Sequence, residues 1–223
     1  MRVVGLTGGI ATGKTTVSNS LKAAGVAVID CDEIAHDVVR KGRWAWRRVV
    51  STFGSQVLQS NGELDREALG ELVFKNETAR RKLNTATHLP VFLETIKQIV
   101  RNWALCRTMV VVDMPLLFET KSNKYMKPSI LVYCDEKSQL ERLMSRNGFT
   151  EAHAKSRIAS QMPLAEKKKM ADILIDNSGS KDALKQKVAD VIVQIKLGAA
   201  KHLLVSPLAC AAWASIGYFL FTM

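Results

Sequence analysis

Residues 5–16 read GLTGGIATGKTT, and the pattern Gly8, four residues, Gly13-Lys14-Thr15 within them leaves few folds open. The pattern alone arises by chance; its surroundings give it weight. The short apolar run Val3-Val4-Gly5-Leu6 stands directly before it and reads as a buried parallel strand. Residues 14–24 follow with helical spacing. In a strand–loop–helix of this kind, glycines let backbone N–H groups turn inward around phosphate oxygens, and the helix offers them its positive N-terminal end. The expected nucleotide-binding residues are Gly8, Gly9, Ile10, Ala11, Thr12, Gly13, Lys14, Thr15 and Thr16. Lys14 is the mobile cation near the transferred phosphoryl group, and the Thr15 hydroxyl is a ligand for Mg2+. A bound nucleoside triphosphate is the expectation.

The remaining chain alternates strands and helices. Apolar runs at Val26–Asp30, Met109–Asp113, Ile130–Cys134 and Ile173–Asp176 join the first to make five strands. Helical spacing recurs at 33–40, 138–146 and 181–196, with Thr150 placed to cap another short helix. This order predicts an α/β fold with a five-stranded parallel sheet wound on both faces. The stretch 44–103 is helical apart from a polar break at Gln59-Ser60-Asn61-Gly62, and is too long for a plain crossover, so it reads as a helical insertion. With 223 residues, one such domain spanning 1–200 is expected.

The net charge of +11 suits anionic partners but does not choose among them. No aromatic-studded basic face or recognised module accompanies it, so no nucleic-acid partner is expected. Cys31, Cys106, Cys134 and Cys210 show no metal-ligand spacing and read as free thiols. The opening MRVVGLTGG is already strand and turn, so no presequence is expected. Residues 203–223, LLVSPLACAAWASIGYFLFTM, carry no charge. Their length just reaches that of a membrane-crossing helix, so they are expected to form a tail anchor with the body facing the cytosol, on the mitochondrial outer membrane or the endoplasmic reticulum.

A loop of this kind serves switches, motors and small-molecule kinases alike. The chain is short for a motor and lacks the N-K-x-D sequence of a guanine-specific switch. After the second strand comes Asp30-Cys31-Asp32, where carboxylates face the phosphate loop. Asp32 either orients an attacking hydroxyl or caps the helix that starts near Glu33. A basic cluster runs from Glu141 to Lys169. Arg142 in it is a candidate to stabilise transferring charge, whereas Lys167-Lys168-Lys169 reads as solvated surface.

With these pieces together the chain resembles the dephospho-coenzyme A kinase family. The matching blocks are GLTGGIATGKTT at 5–16, VIDCDEIAHDVV at 28–39, DMPLLFET at 113–120, QLERLMSRNG at 139–148, RIASQMPLAEK at 157–167 and ADILIDNSGS at 171–180. The hydrophobic tail resembles an extension of eukaryotic members. The resemblance implies a P-loop kinase sandwich of three layers, with a helical acceptor-binding insertion at about 44–103 and a lid at about 142–169. It implies transfer of the ATP γ-phosphoryl to the 3′-hydroxyl of dephospho-CoA, with magnesium. It implies that Lys14, Asp32 and Arg142 are catalytic, that Arg146 binds ATP from the lid entrance, and that Gln161 and Asn177 belong to the lid and adenine pocket, Asn177 as a nucleotide-binding residue. Pro115 to Phe118 would line the acceptor side. Two departures stand out. Thr87-His88-Leu89-Pro90 replaces the Thr-His-Pro common in the family, and Cys31 stands where a small alanine is frequent. Alternative readings are a nucleoside monophosphate kinase and, from another class, a membrane-tethered nucleotide-binding scaffold.

Overall fold

The computed structural model describes residues 1–200, apart from the side chains at 74, 75 and 200. The stretch 203–223 lies outside the described residues, and among those described no helix is long and apolar enough to cross a membrane. The described residues divide into two compact units, residues 1–30 with 102–200, and residues 31–101.

The first unit is built on one parallel sheet of strands β1 (Arg2–Gly8), β2 (Val28–Asp30), β3 (Met109–Asp113), β4 (Ser129–Tyr133) and β5 (Ile173–Asp176), in the order β2-β3-β1-β4-β5. In register, Leu6 pairs with Asp113 and with Ile130, and Asp30 pairs with Asp113. Chain connections leave neighbouring β1 and β3 towards opposite sides of the sheet. Their C-terminal ends therefore open a crevice, the place where ligands bind in sheets of this kind.

Alternation along the strands decides which layer each face meets. Val4, Leu6, Val111, Ile130 and Val132 turn to one side and pack with Val17 and Leu21 of helix α1 (Lys14–Ala23). Leu184, Val188 and Ile195 of the closing helix, Lys181–Ala200, complete that cluster. On the other side Gly5 admits the loop after β3. A Cβ there would meet Leu117 Cδ2 at 2.8 Å and Met126 Cβ at 3.2 Å, so the glycine is required for close approach.

In the second unit, helices α2 (Cys31–Val38), α3 (Trp44–Phe53), α4 (Arg66–Lys75) and α5 (Glu77–Ala104) follow one another. Val49, Phe53, Val57, Leu64, Leu69, Ala79 and Ala86 form its core. This unit starts at Cys31, where α2 follows β2 without a break, and it contains most of the stretch 44–103 expected as a helical insertion. The polar break is a tight hairpin. Leu58 and Leu64 bridge across it, and the Gln59 amide donates to the Glu63 carbonyl at 2.8 Å. Asn61 accepts from the Glu63 amide at 2.8 Å and Gly62 takes φ 79°, the pairing of side-chain turn and left-handed backbone that Asn-Gly favours.

The chain after β4 forms α6 (Glu136–Asn147), α7 (Glu151–Ala159) and α8 (Leu164–Met170), and the closing helix is α9. Thr150 accepts from the His153 amide and caps α7 as its sequence predicted. The three lysines of α8 depart from expectation. Only Lys169 is a solvated cation, paired with Glu166. Lys168 lies over the Tyr133 ring, 3.7 Å from its centre. Lys167 is 0 % exposed, with Nζ 2.7 Å from Glu119 Oε1, an ion pair by proximity rather than an aligned hydrogen bond. Helical periodicity turns one lysine in three inward, and the carboxylate that meets it comes from the loop after β3.

Removing one partner of a buried pair strands the other charge, which costs about 3–5 kcal/mol. Lys167→Ala should therefore lower unfolding free energy in urea by about 3 kcal/mol. Lys169→Ala should stay within about 0.5 kcal/mol of the unaltered chain.

Candidate active site

The loop between β1 and α1 is shaped from within. Thr12 donates through both its amide and its hydroxyl to the Gly9 carbonyl, at 3.3 and 2.9 Å. Gly8 lies so close to Thr12 and to the Val132 carbonyl that a Cβ would meet them at 2.8 and 3.0 Å. Gly13 takes φ 90° and Ala11 takes φ 59°. Ala11 is an L side chain in the left-handed region, a strain that the surrounding structure has to hold in place. Neither an acidic residue nor a side-chain cap occupies the first turn of α1. Its positive end is therefore suited to an anion.

Asn177 stands behind this loop. Its Nδ2 donates to the Thr12 carbonyl at 2.8 Å, and its amide donates to the Tyr133 carbonyl at 2.7 Å. A Cβ on Gly13 would collide with the Asn177 amide. The side chain expected in the adenine pocket is thus buried as a support of the loop backbone. Gln161 is likewise turned to the loop, where its Oε1 accepts from the Ile10 amide at 2.9 Å.

At the ends of β1 and β3, Lys14 Nζ donates to Asp113 Oδ1 at 2.5 Å, with the two side chains 15 % and 1 % exposed. Burial pushes the Asp113 carboxyl above the usual carboxylate range; the Lys14 charge opposes this, and nearby Asp30 adds to the rise. Asp113 was absent from the residues picked out by sequence. Its signal was the run MVVVD, an apolar strand closed by one acid beside the loop strand. Thr15 is exposed at the loop's end. Among the described residues no group of three or more His, Cys, Asp or Glu could hold a metal ion. A hydroxyl with one or two carboxylates fits Mg2+, which keeps several waters and takes its other oxygens from phosphates.

Arg142 and Arg146 share a helix but differ in setting. Arg142 Nη1 is buried without a protein acceptor. The guanidinium lies beside Cys134, whose thiol burial pushes up in spite of that positive charge. Arg146 is exposed in the last turn of α6, where Nε donates to Asn147 Oδ1 at 2.9 Å. After β3, Thr7 Oγ1 donates to the Pro115 carbonyl at 2.9 Å, and Leu117 and Phe118 are buried. Those two are core residues; Leu116 is the exposed one of the four.

In the second unit Asp32 sits inside the first turn of α2, which begins at Cys31. The helix starts earlier than its spacing suggested, so Asp32 is not the residue before it. Its charge still complements the positive helix end. Cys31 is buried, in keeping with a packing role. A cavity of about 390 Å³ is lined by Val38, Trp44, Pro90 and Leu93, with Arg43 and Lys97 at its polar side. Burial pushes the His88 imidazole below its ordinary 6.5.

Two outcomes follow. Asn177→Ala leaves the Thr12 carbonyl without its donor and should weaken ATP binding, read by calorimetry, about tenfold. A depressed His88 means the unfolded chain takes up its proton first as pH falls. Stability should therefore rise with pH through the window from the depressed value up to 6.5, and urea titrations of His88→Gln should lose that rise.

A family model described as dephospho-CoA kinase matches residues 2–183. Among relatives, the dephospho-CoA kinase of Arabidopsis thaliana is 45% identical, over 88% of this chain and 84% of its own length. That of Geobacillus kaustophilus is 46% identical, over 86% and 95%. A dephospho-CoA kinase domain-containing protein of Danio rerio is 40% identical, over 100% and 98%. Among solved structures, the dephospho-CoA kinase of Campylobacter jejuni aligns with a TM-score of 0.68 and 29% identity, over 87% of this chain and 97% of its own. Motif order, a phosphate loop braced from behind, and these matches across most of the chain lead to one assignment: the protein belongs to the dephospho-CoA kinase family.

Proposed function

We propose that this chain transfers the γ-phosphoryl group of ATP to the 3′-hydroxyl of dephospho-CoA, giving coenzyme A and ADP. The observation that carries the reading is the loop at Gly8–Thr15 with Lys14 held by buried Asp113 at the sheet crevice, in a chain of this family. The loop amides and the N-terminal end of α1 bind the β- and γ-phosphates. Lys14 leaves Asp113 for a phosphate oxygen as the triphosphate enters. Asp113 and Thr15 are the residues that would hold magnesium there. When bound, Mg2+ neutralises charge that develops between the β- and γ-phosphates.

Asp32 orients the acceptor hydroxyl and accepts its proton; this role rests on the family block VIDCDEIAHDVV. Arg142 carries a buried guanidinium nitrogen without a protein acceptor, which suits it to a phosphate oxygen. Most of the rate then comes from positioning and electrostatics. For address, the uncharged segment 203–223 is long enough for a membrane anchor. If it anchors, the full chain stays with membranes in alkaline carbonate while a chain cut after 200 is released; release of both would remove the anchor.

The test of function is ADP release by the purified chain with ATP, magnesium and one acceptor at a time: dephospho-CoA, AMP, adenosine or none. Release is expected with dephospho-CoA alone and should vanish in Lys14→Ala. Release with AMP instead would move the chain to nucleotide interconversion, and silence with every acceptor would leave a nucleotide-binding scaffold. Asp32→Asn should cut kcat by about 10²–10⁴ while ATP affinity holds; an unchanged kcat would remove Asp32 from the reaction.

A further inference from the structure

We propose that Gln139 and Gln161 are positioning residues that hold the two peptide groups flanking Ile10, one each, and so set the shape of the phosphate loop for ATP. The inference rests on the nucleotide-binding reading of that loop and goes beyond it. Ile10 is the residue before Ala11, whose left-handed backbone has to be held by its neighbours. Its amide donates to Gln161 Oε1 at 2.9 Å, and its carbonyl accepts from Gln139 Nε2 at 2.8 Å. Both polar groups of one backbone residue are thus bound by side chains from far along the sequence.

Each arm is itself fixed. Gln139 is buried in the first half of α6, whose start is capped by Asp135, and the Asp135 amide donates to the Ser178 hydroxyl at 3.0 Å. Gln161 lies between α7 and α8. The neighbouring Met162 amide donates to Glu119 Oε1 at 3.3 Å, the carboxylate that also meets buried Lys167. Gly9 completes the fit, because a Cβ there would meet Gln139 Nε2 and Leu164 Cδ2, each at 3.0 Å. Through these contacts the helices at the lid base and the phosphate loop hold one common geometry. A shift of α6 or of the α7–α8 connection would move Ile10, and with it the amides that follow.

The two arms need opposite chemistry. A glutamine amide offers an acceptor and a donor, whereas a carboxylate offers acceptors alone. Ile10 asks position 161 for an acceptor and position 139 for a donor. The same substitution should therefore be tolerated at one and damaging at the other. Gln161 is only half-buried and lines an open cavity of about 670 Å³, so a carboxylate there keeps contact with water.

The experiment measures ATP affinity by calorimetry, KM for ATP and kcat, and melting temperature, for the full chain and four variants. Gln161→Leu, Gln139→Leu and Gln139→Glu should each weaken ATP binding about tenfold, the scale of one lost hydrogen bond to a backbone group. Gln161→Glu keeps an acceptor for the Ile10 amide and should bind ATP more tightly than Gln161→Leu, compared in salt high enough to screen the added charge from the triphosphate. The rise should appear in KM for ATP more than in kcat, and should not track melting temperature as a general loss of packing would. Gln161→Glu as weak as Gln161→Leu, or both binding ATP normally, would overturn the proposal. That pair decides the matter even if buried position 139 tolerates no change. Failure with dephospho-CoA alone would remove the proposed acceptor and leave this test standing. Failure of the unaltered chain to bind ATP would remove both.

Discussion

The contact on which the rest depends is the one between Lys14, at the start of α1, and Asp113, at the end of β3. It joins the first residue of α1 to the last residue of β3, so it fixes where the helix meets the sheet. It places a cation and a carboxylate at the one crevice where parallel strands send their connections apart. Burial raises the Asp113 carboxyl even with a cation against it. The carboxylate is thus buried at a cost that the adjacent cation offsets only in part, and in the proposed reaction an incoming polyanion with a divalent cation would offer each member another partner.

Around that contact the backbone is braced rather than left to its own preference. A loop that presents N–H groups inward must expose polar groups on its outer side, and every one buried there needs a partner. Asn177 takes the Thr12 carbonyl, Gln139 the Ile10 carbonyl and Gln161 the Ile10 amide. Three amide side chains thus serve the outside of a loop whose inside serves phosphate. This explains why residues expected in a nucleotide pocket face the loop backbone.

Much of the architecture was legible because burial on both faces leaves a plain signature. Met109–Asp113, buried along its whole length, is such a run and appears as a strand with those ends; the apolar run Ile173–Asp176 does so too, as an edge strand with Leu174 exposed. The Gly-Lys-Thr loop is legible for a different reason: its backbone conformation restricts which residues fit. What escaped was set by partners distant in sequence. Lys167 reads like its neighbours until Glu119 is placed beside it. Gln139 carries no local signal at all, since its value lies in a donor aimed at Ile10. Asp32 was read as a possible cap because helical spacing is weakest at a helix start, and α2 begins at Cys31. Asp113 closes a strand whose apolar run is plain in the sequence, and only its pairing with Lys14 needs the fold.

The most direct test is a crystal structure of the full chain with magnesium and a non-hydrolysable ATP analogue. Lys14 Nζ should leave Asp113 for a γ-phosphate oxygen while Asp113 turns to the hydrated metal, with Thr12 and Ile10 still held by Asn177 and the two glutamines. A nucleotide bound with the Lys14–Asp113 contact still closed, or bound away from the Gly8–Thr15 loop, would contradict it.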